Sequence, residues 1–275
     1  MNKLNVDEET LRDLYVTKRK TTYEIAEMLN SNRKSVARLL EKFDIDINPK
    51  QRKFELLKAI PITNEQKELI VGTLLGDGCI SKSGRKINYS LIIGHCEQQK
   101  DLVFWKKDIL ANFVNVVSKR VDKRGNSIMY TFTTLSHHEL KLYYDLFYDN
   151  GKKVIRDELI SHITPLSLAT WIMDDGHLNK NINLRLHTEG FSEQDCEKLQ
   201  YMLKVKFDIR CKVAKYNRRN KVYCYLSFNK ENTIKTSKLT ERYFIDCMKY
   251  KLYHDCSSTT SCQTSEIIIP DDDKV

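Results

Sequence analysis

The feature that most constrains this chain is a long internal duplication. Two apolar segments end in Asp-Gly, Ile70-Val71-Gly72-Thr73-Leu74-Leu75-Gly76-Asp77-Gly78 and Leu168-Ala169-Thr170-Trp171-Ile172-Met173-Asp174-Asp175-Gly176, so that 98 residues separate Asp77 from Asp175. After each, the same order of patterns recurs. A strand ending in His-x-Glu (His95 and Glu97; His187 and Glu189) is followed by a helix over 98–113 or 192–207. A hairpin then turns near Arg124-Gly125-Asn126 in one copy and Arg218-Arg219-Asn220 in the other, and a further helical segment covers 137–147 or 231–244. Each copy closes with a lysine before an apolar residue, Lys153 before Val154 and Lys251 before Leu252, again 98 residues apart. A repeat of this length is one supersecondary unit used twice. Helical periods alternating with period-2 hairpins make each unit α+β.

The repeated acids carry the chemistry. Asp before Gly is a routine helix end, where Gly can supply a positive φ. An acid there also faces the negative end of the helix dipole, and that unfavourable placement occurs in both copies. Gly72 and Gly76, at i and i+4, would let two such helices approach closely and bring both carboxylates to one end. Converging carboxylates repel unless a cation bridges them, and hard oxygen ligands select Mg²⁺-like ions. Such ions can activate water and stabilise the departing oxygen of a phosphodiester, while a lysine from each copy can neutralise developing charge.

Charge and composition agree with a polyanionic partner. Lys plus Arg number 46 against 37 Asp plus Glu, and part of the excess is masked by Asp271, Asp272 and Asp273. Nucleic acid is favoured over a membrane or an acidic protein, and no apolar run approaches the ~20 residues of a membrane span. Acidic residues Asp7, Glu8, Glu9 and Asp13 argue against a targeting segment, so an intracellular protein is expected, in the cytoplasm of a bacterium or phage host or made within an organelle. Eight Cys without a C-x-x-C pair fit a reduced protein, with Cys79, Cys96, Cys196, Cys211, Cys224 and Cys247 read as small buried hydrophobes.

Residues 7–44 show three short helical stripes with Thr22 as the expected cap of the second and Asn30-Ser31-Asn32 as the turn before the third. That is the spacing of a helix-turn-helix, with Arg33, Lys34 and Arg38 on the third helix available to DNA. The domain reading is a helix-turn-helix-like module at 1–45, a basic linker at 46–62, a first half at 63–158, a second half at 159–254 and an acidic tail at 255–275.

At this point the sequence resembles the single-chain LAGLIDADG homing endonucleases, most of all the omega-like intron-encoded branch. The resemblance rests on Gly-Thr-Leu-Leu-Gly-Asp-Gly (72–78), Lys-Lys-Val-Ile (152–155), Thr-Pro-Leu-Ser-Leu-Ala-Thr-Trp-Ile-Met-Asp-Asp-Gly (164–176) and Tyr-Lys-Leu (250–252). It implies two αββαββα halves related by a pseudo-two-fold axis, with saddle-shaped antiparallel sheets on DNA. It also implies a monomer that makes a staggered, Mg²⁺- or Mn²⁺-dependent double-strand cut with 3′ overhangs at a long asymmetric site. By resemblance Asp77 and Asp175 are the catalytic acids and metal ligands, Lys153 and Lys251 the catalytic basic residues, and the carbonyls of Gly76 and Asp174 further metal ligands. Thr170 and Asp174 replace the second pair of small residues, and Asp175 is preferred over Asp174 because it precedes Gly in register with Asp77. Lys82, Arg85, Lys86, Lys119, Arg120, Lys123, Arg124, Arg185, Lys212, Lys215, Arg218, Arg219 and Lys221, in or beside strands, become candidate DNA contacts. The alternatives are an RNA-binding intron maturase and a catalytically silent DNA-binding regulator on the same fold. Retention of both acids weighs against the two.

Overall fold

The computed structural model describes residues 6–18, 20–45, 57, 60–83, 88–114, 116–121 and 127–254. Arg85, Lys86, Lys123, Arg124, most of the 46–62 linker and the 255–275 tail lie outside the described residues. The chain divides into two compact units, Met1–Phe147 and Tyr148–Val275.

The first unit opens with three short helices. These are α1 (Glu8–Arg12, continued by a wider π turn over Asp13–Thr17), α2 (Thr22–Met28) and α3 (Arg33–Lys42). Their apolar stripes meet in a core of Leu11, Leu14, Tyr15, Ile25, Ala26, Val36, Leu40 and Ile45. Each start is capped: Asp7 accepts from Thr10 N, Thr21 forms a reciprocal capping box with Glu24, and Asn32 accepts from Ser35 N. The cap of α2 is therefore Thr21 rather than Thr22. Thr21 has the extended backbone a cap needs, and Glu24 stands three residues on, where a box requires it. Asn30 takes a positive φ of 45° to reverse the chain between α2 and α3.

The rest of the first unit is α4 (Asn64–Leu75), β1 (Cys79–Ser83), β2 (Asn88–Cys96), α5 (Lys100–Ile109), β3 (Ser118–Val121), β4 (Ile128–Thr133) and α6 (Leu140–Phe147). Thr63 and Gln66 form the capping box of α4, whose residues from Leu69 to Leu75 are all buried. A helix that is apolar on every side belongs in an interior. β2 alternates strictly between buried and half-exposed residues, the mark of a strand with one face on a core. The four strands form one antiparallel sheet in the order β1-β2-β4-β3.

The second unit begins with a two-residue ribbon, β5 (Tyr148–Asp149) and β6 (Lys152–Lys153), turned by Asn150 and Gly151 at positive φ. It then repeats the plan: α7 (Pro165–Asp175), β7 (Gly176–Asn179), β8 (Asn183–His187), α8 (Glu193–Phe207), β9 (Cys211–Arg218), β10 (Lys221–Phe228) and α9 (Lys230–Thr240). Its sheet order, β7-β8-β10-β9, is that of the first sheet. Both copies are thus αββαββα, as expected. The β9–β10 hairpin turns on Arg219 and Asn220, both at positive φ (50° and 60°), as two-residue hairpin turns demand.

Two sequence readings need correction. The glycines after Asp77 and Asp175 are not at positive φ; among the described glycines only Gly151 is. They are needed for space: a Cβ on Gly78 would stand 2.3 Å from Thr73 Cγ2, and one on Gly176 2.5 Å from the Ile172 carbonyl. The cysteines also divide, since Cys196, Cys211 and Cys224 are buried, Cys96 is half-buried, and Cys79 and Cys247 are exposed. Cys79 opens an edge strand, where one side of the chain meets solvent.

Candidate functional site

The first acid sits just beyond its helix. α4 ends at Leu75, Gly76 donates its N–H back to the Gly72 carbonyl, and Asp77 follows in a turn with its side chain 48% exposed. Behind it lies buried polar chemistry. His95 Nδ1, on β2, is 3.4 Å from Asp77 Oδ2, and His95 Nε2 is 3.4 Å from Nζ of Lys106 on α5. His95 is 2% exposed and Lys106 fully buried. The His95–Asp77 contact is at ion-pair distance, and His95 Nδ1 does not meet hydrogen-bond geometry in this rotamer. Sequence reading placed His95 only as a strand landmark and missed Lys106. The available signal was a lysine on the apolar stripe formed with Leu102, Val103 and Leu110.

The second acid is held differently. α7 runs through Asp175, with Asp174 buried and Asp175 half-buried. Lys251, itself buried, donates from Nζ to the carbonyls of Met173 at 2.7 Å and Asp174 at 3.0 Å. A cation at the negative end of a helix is favourable, and these carbonyls lie among the last of α7, which lack partners within the helix. The structure thus brings Lys251 to the Asp174 carbonyl, one of the expected metal ligands. Lys153, half-buried, stands on β6 opposite Tyr148.

His187 does not correspond to His95. It is on the helix-free face of its sheet, 43% exposed in the side chain, and bonded to Glu189 at 3.0 Å. Glu189 also accepts from Arg185 at 3.2 Å and Tyr216 at 3.3 Å. Burial works to raise the Glu189 carboxyl, but the hydrogen bonds from His187 and the backbone and the charges of His187 and Arg185 outweigh it, leaving its pKa below the usual value. Burial, then His187, Arg185 and Lys251, hold His177 below the ordinary imidazole range.

Strand alternation sorts the basic candidates. Arg185 pairs with Ser227 across β8–β10, and the register carries Lys212, Tyr216, Arg218, Lys221, Tyr223 and Tyr225 onto the same helix-free face. There Arg185 lies over the Tyr225 ring at 3.6 Å and near Tyr216 at 5.4 Å, and Tyr216 stacks on Tyr223. Lys215 is on the opposite, helix-covered face and pairs with Glu193 at 2.5 Å. In the first sheet Arg120 shares the helix-free face with Met129 and Cys96, whereas Lys82 lies over Tyr144 and Lys119 over Tyr130 on the covered side. Arg219 projects from the hairpin turn, and Arg33, Lys34 and Arg38 are exposed on α3, with Arg33 over Tyr23 at 5.0 Å.

Carboxylate oxygens beside main-chain carbonyls are the hard donors that Mg²⁺ or Mn²⁺ selects, and the His95 imidazole stands 3.4 Å from Asp77. The family model described as the LAGLIDADG DNA endonuclease family matches residues 67–235. A probable intron-encoded endonuclease of Wickerhamomyces canadensis is 32% identical over 200 residues, covering 68% of this chain and 83% of that protein. The cytochrome b mRNA maturase bI2 of Saccharomyces cerevisiae is 29% identical over 225 residues, covering 77% of this chain and 52% of that protein. The chain spans about half the length of the first curated relatives it matches. Among solved structures, the homing endonuclease I-WcaI bound to its DNA recognition sequence aligns with a TM-score of 0.63 and 26% identity, over 74% of this chain and 92% of that one. No helix among the described residues is long and apolar enough to cross a membrane. With the same αββαββα unit twice, Asp-Gly at the end of each leading helix and a family match across both copies, the chain belongs to the LAGLIDADG DNA endonuclease family.

Proposed function

We propose that this chain is a monomeric, site-specific endonuclease that hydrolyses both strands of DNA at a long asymmetric target, with Mg²⁺ or Mn²⁺ bound at Asp77 and Asp175. One observation carries the reading: each copy of the duplicated unit ends its buried leading helix in an acid with solvent access, and the helix-free face of the second sheet is basic. The metal would polarise a phosphodiester and lower the pKa of an attacking water. Gly76 and Asp174 would add carbonyl ligands, and Lys153 and Lys251 would counter charge at the phosphate. Arg120, Arg185, Lys212, Arg218, Arg219 and Lys221 would meet DNA directly, with Arg85, Lys86, Lys123 and Arg124 as further candidates. Residues 1–45 would add a contact outside the sheets through Arg33, Lys34 and Arg38. The proposed division, 63–158 and 159–254 for the two halves, keeps each lysine with its own acid.

Cleavage selection on a randomised duplex library with Mg²⁺ tests this. The wild type is expected to enrich one site, and Asp77→Asn or Asp175→Asn to bind it while cutting at least a thousandfold more slowly. Wild-type cutting rates in either variant would refute the assignment. The maturase name of one relative supports a second reading, intron RNA binding. Filter binding to structured RNA in competition with the selected duplex distinguishes the two.

A further inference from the structure

The duplicated unit supplies its own control for the groups behind Asp77. The 98-residue offset of the Asp-Gly segments sets His177 at the place of Cys79. Cys79 pairs with Ile92, whereas His177 pairs with Arg185, so from the second strand onward the offset is 93 residues and the intervening connection five residues shorter. The same offset aligns the first residues of α5 and α8, Lys100 and Glu193. It equates His95 with Thr188 and Lys106 with Leu199. Both helix positions are fully buried. The first half therefore encloses a lysine where the second encloses a leucine, although a buried amine needs a polar partner that an alkyl group does not.

The chemistry of the contact gives that lysine a direction of action. A lysine that donates as an ammonium has only donors, and the Lys106 Nζ contact at 3.4 Å would then use the lone pair of His95 Nε2. A neutral imidazole that accepts at Nε2 carries its hydrogen on Nδ1, and Nδ1 is the atom 3.4 Å from Asp77 Oδ2. In that tautomer the Nδ1–H lies on the side of the ring that faces Asp77 Oδ2. Thr188, the residue at the equivalent place, spends its hydroxyl on the Cys224 carbonyl at 3.0 Å. The second half has no such relay among these residues.

We propose that Lys106 is a positioning residue for Asp77: it fixes the His95 tautomer, and through it the orientation of the first carboxylate toward a divalent cation. This rests on the reading of Asp77 as a metal ligand. Ligand-supporting groups of this kind typically change metal affinity by about 10–100-fold when removed.

Lys106→Leu copies the residue of the second half and is the natural test, with thermal unfolding to show that the full chain folds. Long-range ¹H–¹⁵N NMR of the histidine side chains reads the tautomer without any metal. His95 is expected with hydrogen on Nδ1 in the wild type and with mixed or Nε2–H character in Lys106→Leu. Titration of Mn²⁺, followed by water proton relaxation, is expected to show weakening on the order of tenfold in Lys106→Leu and in His95→Ala. His95→Asn, whose amide can donate from near the Nδ1 position without the lysine, should recover most of the affinity. An Nε2–H tautomer in the wild type, or unchanged Mn²⁺ affinity in Lys106→Leu, overturns the inference. If Lys106→Leu does not fold, the wild-type tautomer and the His95→Ala and His95→Asn pair decide it. A wild type that binds no Mn²⁺ and cuts no DNA sinks the nuclease reading instead, with the tautomer still reporting on Lys106.

Discussion

Replacing Lys251 with methionine separates a structural from a purely chemical role for that lysine. The substitution keeps the length of the side chain but removes the ammonium that the carbonyls of Met173 and Asp174 accept from at 2.7 and 3.0 Å. Hydrogen bonds to a charged group contribute roughly 1.5–3 kcal/mol each, and leaving a buried acceptor unpaired costs about 1–3 kcal/mol. Against this stands the recovered desolvation of a buried ammonium, several kcal/mol. The acceptors remain after the change, so the net effect is a loss, of about 2 kcal/mol, the cost of a buried acceptor left unpaired. With a urea slope near 1–1.5 kcal/mol/M for a unit of this size, the midpoint should fall by about 1–2 M. The chain has two tryptophans, and Trp171 lies 1% exposed on α7 itself, two residues from one of the acceptors. Fluorescence in a Trp105→Phe background therefore reports on the element concerned. An unchanged midpoint would mean that Lys251 does not hold the end of α7, and that its burial serves the reaction alone.

Two further outcomes follow from the second sheet. Lys212→Gln should lower the slope of log affinity for DNA against log salt by about 0.9, the value for one phosphate contact. Lys215→Gln, on the covered face with Glu193, should leave that slope unchanged; equal slopes for the two variants would contradict the sorting by strand alternation. The Glu189 carboxyl is held below its ordinary value of 4.5, so its stabilisation is present above about pH 4.5 and lost as pH falls through the lowered folded value. The melting temperatures of wild type and Glu189→Gln should differ at pH 7 and converge toward pH 3, and a gap that persists at pH 3 would place the effect elsewhere.

Most of the fold was legible because its signals are local. Thr63, Thr164 and Ser192 cap helices with a partner three residues on, and each apolar stripe that follows is read at a 3.6-residue period. Arg219-Asn220 marks its hairpin turn directly. The errors came where a change of length alters parity. His95 and His187 look equivalent beside Glu97 and Glu189, yet the five-residue difference between the copies, an odd number, turns one into the core and the other to the open face. Lys106 was invisible for another reason. A lysine in a helix ordinarily faces water, and only the enclosing Leu102, Val103 and His95 show that this one does not. The spacing shared by Lys251 and Lys153 was legible, while the bonds of Lys251 to α7 depend on the way residues 246–251 fold back in three dimensions.

The chemical difference between the equally buried Lys106 and Leu199 also limits how the gene can be rearranged. A dimer assembled from two copies of the second half would carry leucine at both places and threonine instead of histidine, with no internal donor chain behind either acid. One made from two first halves would enclose two lysines and would lack the buried Lys251 that holds the end of α7. The copies have diverged in the parts that support their acids while retaining a common strand order, so the single chain is no longer the sum of two interchangeable protomers.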